Sequence, residues 1–267
     1  MLFKREIKRN YKSFLTVTLI CAFFQVYIIS MSQTFGADVK QILDMKMPPE
    51  FQKAVGMAGL NLNDPLGFTG IGFSYVYLFL SIAFASVFAL IVSKEFSEKT
   101  AEYLFSLPVK RVKLIRIKLF FGLTYIFAAA LFIFLATIIG MATIIGGEIP
   151  WLTISLMMLA WILGGLALGS FAFLLSSFFS RSLTSSAVSM GVVMGLYLLQ
   201  VVISMNKELD FLKYISPFDW YKGSDIIRSE EISIVYSLIA VGISAACLYL
   251  GVRRLSLIHI SEPTRHG

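Results

Sequence analysis

The sequence predicts an all-α membrane protein that crosses the bilayer six times. Of its 267 residues, 57% are apolar and only 15% are charged, and the mean hydropathy is +0.80. So little polar surface could not cover a soluble protein of this size. A helix needs about 20 apolar residues to cross a bilayer. Six segments without a charged residue or histidine meet that length: Phe14–Thr34, Ile71–Val92, Leu119–Ile145, Trp151–Phe179, Leu183–Met205 and Ile232–Val252.

The first apolar segment follows a basic N-terminus that could be mistaken for the start of a signal peptide. Its apolar core is longer than the roughly 7–15 residues of a signal peptide, and no small-x-small cleavage site follows it. We therefore predict an uncleaved span. The cations before it are Lys4, Arg5, Lys8, Arg9 and Lys12.

The distribution of basic residues predicts the orientation. An even number of spans places both termini on one side, and sixteen of the 23 Lys and Arg residues fall in the segments of that side. Basic residues concentrate in cytoplasmic segments, so we expect both termini to be cytoplasmic. The net charge of +7 is then accounted for by topology and by anionic lipids, and no nucleic-acid partner is expected.

The residue inventory argues against an enzyme. Both histidines, His259 and His266, lie in the C-terminal "SLIHISEPTRHG", which we interpret as a non-native read-through tail within residues 255–267. Without them the chain lacks a Ser-His or Cys-His pair and a histidine-rich zinc site. It also has no G-x-x-x-x-G-K-[ST] motif for nucleotide phosphates. We therefore predict one transmembrane domain over residues 1–254, with no catalytic, cofactor-binding or metal site.

Two glutamines are notable polar residues within the predicted spans. Gln25 and Gln200 could form hydrogen bonds between helices, or they could face a transport path. An ion-coupled carrier is disfavoured, since such proteins place ionisable residues inside the membrane and the six predicted spans contain none.

The segment between the second and third spans, Ser93–Lys118, is the most highly charged part of the chain. Its first half has charged and apolar residues on opposite sides of a helix, and Pro108 ends that helix near Leu107. One interpretation is a loop held on anionic lipid by its basic residues. The other is a docking surface for a soluble partner, with Phe105 as an exposed anchor.

The stretch "EFSEKTAEYLFSLPVKR", residues 95–111, resembles the cytoplasmic signature of type 2 ABC transporter permeases. An acidic start leads through Thr-x-Glu to Leu-x-x-Leu-Pro-Val and a basic residue. The sequence departs from the family at Lys99, where glycine is common. Two further stretches are similar to the family, the basic opening "LFKREIKRNYKSFL" and the Ser-Pro-Phe segment "LKYISPFDWYKGSDII". The resemblance extends to about Arg254.

This resemblance implies a permease subunit of an ABC exporter, in the inner membrane of a prokaryote, driven by a separate ATPase subunit. The partner would bind the ATP, a second permease chain would complete a homo- or heterodimer, and the N-terminus would form an elbow helix on the membrane. A cytoplasmic coupling helix at residues 93–108 would dock the ATPase. The alternative is a non-transporting scaffold that recruits a partner through the same segment. The expected docking residues are Glu95, Glu98, Thr100, Glu102, Leu104, Phe105, Leu107 and Pro108.

Overall fold

The chain folds into a bundle of long helices. The structure, a computed structural model, describes residues 2–46, 48, 52–53, 56–62, 64–97, 111–146, 148–179 and 181–257. These residues contain no β-strand, and they include a 3-10 helix at Lys207–Tyr214. The α-helices are α1 (Leu2–Lys46), α2 (Pro65–Ser97), α3 (Arg111–Ile144), α4 (Trp151–Ser176), α5 (Ser182–Met205), α6 (Pro217–Trp220), α7 (Gly223–Ser229) and α8 (Ile234–Leu257).

Six of these helices are long and apolar enough to cross a membrane, which confirms the predicted all-α, six-span fold. Their apolar parts agree with the predicted spans to within a few residues at most ends. They are Phe3–Thr34, Pro65–Ile91, Ile115–Ile144, Trp151–Ser176, Ser182–Met205 and Ile234–Leu255.

The third span differs from the prediction in a way that matters. We expected it to begin at Leu119, after the last cation, but its apolar part begins at Ile115 and includes Arg116 and Lys118. Arg116 is exposed, whereas Lys118 is buried. A charged side chain therefore lies inside the bundle, one residue before the predicted uncharged span Leu119–Ile145.

The basic N-terminus, predicted to form an elbow helix on the membrane, is continuous with the first span. Residues 2–13 are the first turns of α1, which continues without a break to Lys46. At 1.5 Å per residue, the 45 residues of α1 span about 68 Å, roughly twice the thickness of the hydrocarbon layer. The N-terminal turns and the first span are therefore parts of one continuous helix.

Helix α2 occupies the centre of the bundle, where it contacts α1, α3, α4, α5 and α7. Its closest packing is against α4, where glycines lie opposite aromatic rings. A Cβ atom on Gly165 would come within 2.7 Å of the Phe84 ring and 3.3 Å of Ile126. Only a residue without a side chain allows the two helices to approach this closely. We call this contact the α2–α4 seam: Phe73, Tyr77, Phe84 and Phe88 on α2 with Trp161, Gly164, Gly165 and Gly169 on α4.

The bundle has two distinguishable ends. At the N-terminal end, α1, α3 and α5 begin and α2, α4 and α8 end; Ser185 of α5 donates a hydrogen bond to the Ala89 carbonyl there. At the opposite end, called the loop end, residues 56–62 and 206–233 connect the helices. Helix α8 continues past the predicted domain boundary to Leu257, and residues 258–267 of the predicted tail lie outside the described residues.

The seam predicts that Gly165→Ala destabilises the protein. The added methyl group would overlap the Phe84 ring, and overpacking of this kind lowers the free energy of unfolding by about 1–3 kcal/mol. The measurement is the apparent melting temperature of the detergent-purified protein. Gly242→Ala on α8 is the matched control, because no described atom lies within 4 Å of its added carbon. Equal melting temperatures for the two variants would contradict the packing account.

Candidate functional site

A cavity of about 620 Å³ opens at the loop end of the bundle. Its walls come from α2, α5, the 3-10 helix, α6, α7 and the residues Lys53, Gly56, Ala58 and Gly59, so it is assembled from segments far apart in sequence. Hydroxyl groups and aromatic rings dominate the walls, together with charged residues of both signs. The side chains discussed below that line it are Lys53, Tyr77, Tyr197, Gln200, Asp210, Phe218, Lys222, Asp225 and Arg228.

The Ser-Pro-Phe segment closes one side of this cavity. Pro217 begins α6, a position that suits proline because the first helical N–H has no partner within the helix. The Ser216 hydroxyl donates to the Leu196 carbonyl of α5 at 3.0 Å, and the Tyr77 hydroxyl of α2 donates to the Pro217 carbonyl at 3.3 Å. The segment is thereby attached to both long helices that line the cavity.

Aromatic packing reinforces these hydrogen bonds. The ring of Phe218 lies 4.9 Å from that of Tyr77 and 5.6 Å from that of Tyr197, between centroids. Pairs at such distances add about 0.5–1.5 kcal/mol beyond the burial of their surface. A movement of α2 relative to α5 would therefore move the cavity wall.

The charges around the cavity are partly paired. Lys222 contacts the carboxylate of Asp219, and burial raises the pKa of Asp219 while Lys222 opposes that rise. Asp210 lines the cavity, and its partner Lys213 lies outside the lining. Lys213 Nζ is 2.8 Å from Asp210 Oδ2, and this hydrogen bond lowers the pKa of Asp210. Lys53, Asp225 and Arg228 add further charge to the lining. The cavity can accordingly hold water and polar ligand groups.

The structure separates the two glutamines of the sequence analysis. Gln200 is on the cavity wall, where its amide donates to the Ser204 hydroxyl at 3.1 Å. Gln25 is fully buried away from the cavity, and its amide donates to the Thr69 carbonyl of α2 at 3.3 Å. Gln25 thus joins α1 to α2, which is the first of the two predicted roles, a hydrogen bond between helices. Gln200 lies on the cavity wall, where a ligand could reach it.

Most of the expected docking segment lies outside the described residues. Glu95 belongs to the last turns of α2, while Glu98, Thr100, Glu102, Leu104, Phe105, Leu107 and Pro108 are not described. The two stems of the segment are described, namely α2 up to Ser97 and α3 from Arg111. The chain therefore leaves the bundle after Ser97 and re-enters it at Arg111, both at the N-terminal end, opposite the cavity.

Two buried charged residues beside these stems were not predicted from the sequence. Glu6 of α1 and Lys118 of α3 are 8% and 4% exposed, and their Oε1 and Nζ atoms are 3.5 Å apart. One signal was available, because Glu6 is the only acidic residue before Asp38 in a strongly basic N-terminus. Its pairing with a lysine more than 100 residues away was not visible in the sequence.

Comparison with known proteins agrees with this architecture. A family model described as "ABC-2 family transporter protein" matches residues 3–254, nearly the whole chain. No individual curated protein matches the sequence. With six membrane-spanning helices in the described residues and a family match over this length, the chain belongs to the ABC-2 transporter family.

Proposed function

We propose that this membrane permease subunit belongs to an exporter driven by a separate ATPase, which docks on residues 93–108. The observation that carries the proposal is the family match over residues 3–254. Pairing with an ABC ATPase follows from the family, and the chain has no phosphate-binding loop of its own. The scaffold alternative gains no support from a chain that matches transporters over nearly its full length.

The arrangement of the bundle supports different functions for its two ends, ATPase docking at one and part of the transport path at the other. The ATPase acts at the N-terminal end, where α2 ends at Ser97 and α3 begins at Arg111. The cavity at the loop end serves as the outer part of the transport path, with Gln200 on its wall. Helix α2 joins the two, since its last turns lead into the docking segment and Tyr77 holds the cavity wall.

A second permease chain completes the proposed complex, and α5 offers a surface that suits it. Ala187, Gly191 and Gly195 recur every four residues on the exposed face of α5, and no described atom lies within 4 Å of a carbon added to either glycine. Small residues at this spacing let two membrane helices approach closely. In the "GLALG" of α4, by contrast, the space beside Gly165 and Gly169 is occupied by aromatic rings of α2.

The proposed orientation places the N-terminal end in the cytoplasm of a prokaryote and the cavity on the outer side of its inner membrane. Support comes from the excess of basic residues at the N-terminal end. The anionic lipids of the cytoplasmic leaflet would attract the exposed cations there, among them Lys113 and Arg116.

Docking of the ATPase is tested by co-purification. Phe105→Asp and Glu98→Lys should reduce the ATPase recovered with a tagged permease, because loss of an interface anchor costs about 2 kcal/mol or more. Lys113→Ala and Arg116→Ala are the controls, as they remove exposed charges from α3 without touching residues 98–108. Loss of ATPase in the controls, with full recovery in the first pair, would contradict the docking assignment.

The purified permease alone should hydrolyse no ATP.

Orientation is tested by thiol labelling in spheroplasts. The background replaces both native cysteines, Cys21 and Cys247, which are buried in spans. Phe211→Cys, at a side chain that is 68% exposed at the loop end, should react with an impermeant maleimide. Lys113→Cys should react only after permeabilisation. The reverse pattern would invert the proposed topology.

A further inference from the structure

We propose that Glu6 and Lys118 are positioning residues that couple the two stems of the docking segment to α1. Their ion pair would hold α1, α2 and α3 in one register at the N-terminal end, so that a push on residues 98–110 also moves α1. This inference rests on the proposed function, in which an ATPase docks on that segment.

A single ammonium group connects all three helices. Lys118 Nζ donates to the Ile91 carbonyl of α2 at 2.9 Å and lies 3.5 Å from Glu6 Oε1 of α1. Ile91 lies six residues before Ser97, where the first stem ends, and Lys118 lies seven residues after Arg111, where the second stem begins, about two helical turns in each case. The contact is therefore made where the two stems enter the bundle, and a shift of either stem changes the position of the ammonium.

Other contacts hold Glu6 in place, one at its carboxylate and one at its main-chain carbonyl. Arg9 Nη2 lies 2.8 Å from Glu6 Oε2, and the Asn10 amide donates to the Glu6 carbonyl at 3.0 Å. The first turn of α1 also packs on α3, since the Phe3 ring lies 5.7 Å from that of Phe120, between centroids. The N-terminal turns of α1 are thus attached to the third helix by both charge and packing.

Stability alone is a poor explanation for a buried pair of charges. Withdrawing two ions from water carries a large desolvation cost, and proteins with apolar residues of similar volume at such sites are often as stable or more stable. A buried ion pair instead fixes the relative position of the helices that carry it, because either charge would be unfavourable if it were buried without its partner. In a continuous helix such as α1, a fixed first turn also sets the position of the span that follows it.

The inference is tested with the complete complex of permease and ATPase in lipid nanodiscs. Spin labels replace Tyr11 on α1 and Leu183 on α5, which are 44% and 85% exposed, in the background without native cysteines. The readout is the change in the distance between the labels when a nonhydrolysable ATP analogue binds. ATPase recovery with the tagged permease is measured in parallel and reports assembly.

Lys118→Met removes the bridge while leaving Glu6 beside Arg9. We expect the nucleotide-dependent change in distance to fall by about half or more, with ATPase recovery unchanged, since residues along a path of coupling modulate the response without contacting either partner. Glu6→Gln should have a similar effect. Lys118→Arg keeps the charge and the donors and should retain most of the response. Arg116→Met, an exposed cation on the same helix, should retain all of it.

Two outcomes would overturn the inference. An undiminished response in Lys118→Met and Glu6→Gln would show that the pair takes no part in coupling. A response that falls only in proportion to lost ATPase recovery, in Lys118→Arg as well as Lys118→Met, would show that the pair merely stabilises the fold. Failure of the unaltered permease to recover any ATPase would instead contradict the proposed function.

Discussion

The structure depends on the close approach of α2 and α4 along the α2–α4 seam. Glycines on α4 receive the rings of Tyr77, Phe84 and Phe88, and the Trp161 ring stacks on Phe73 at 5.2 Å between centroids. Lipid tails are as apolar as these side chains, so the seam is stabilised by tight packing and not by exclusion of water. The seam fixes α2 at the centre of the bundle, where the remaining spans assemble around it.

A central, rigid α2 has a mechanical consequence. The same helix contributes Ile91 to the Glu6–Lys118 contact at one end and Tyr77 to the cavity wall at the other. Between these points most of its side chains are buried or half-buried in the bundle, and Phe84 and Phe88 are fully buried. Close-packed interiors transmit displacement because they contain little free space. The hydrogen bonds at Ile91 and at Tyr77 are thereby connected through the mainly apolar middle of α2.

The sequence was sufficient for the parts of this architecture that depend on local composition. Long apolar runs identified all six spans, because the bilayer imposes the same length on each of them. Tertiary partners could not be predicted in this way. Gln25 and Gln200 are the same residue type in similar apolar surroundings, yet one meets a carbonyl of α2 and the other a cavity built from distant segments.

The charged residues show the same limit. Lys118 directly precedes an apolar run, where a lysine ordinarily extends its ammonium to the membrane surface; its burial depends on Glu6, which the chain brings alongside only in the folded bundle. The continuity of α1 was missed for a related reason, since an amphipathic basic segment followed by an apolar one is compatible with either a bend or a straight helix.

The central claim is that α2 carries movement from the docking segment to the cavity. Hydrogen–deuterium exchange of the permease–ATPase complex, with and without a nonhydrolysable ATP analogue, tests it most directly. The account predicts altered exchange in peptides covering residues 93–118 and also in peptides covering residues 216–229 at the loop end. Changes confined to residues 93–118, with the loop end unaffected, would contradict it.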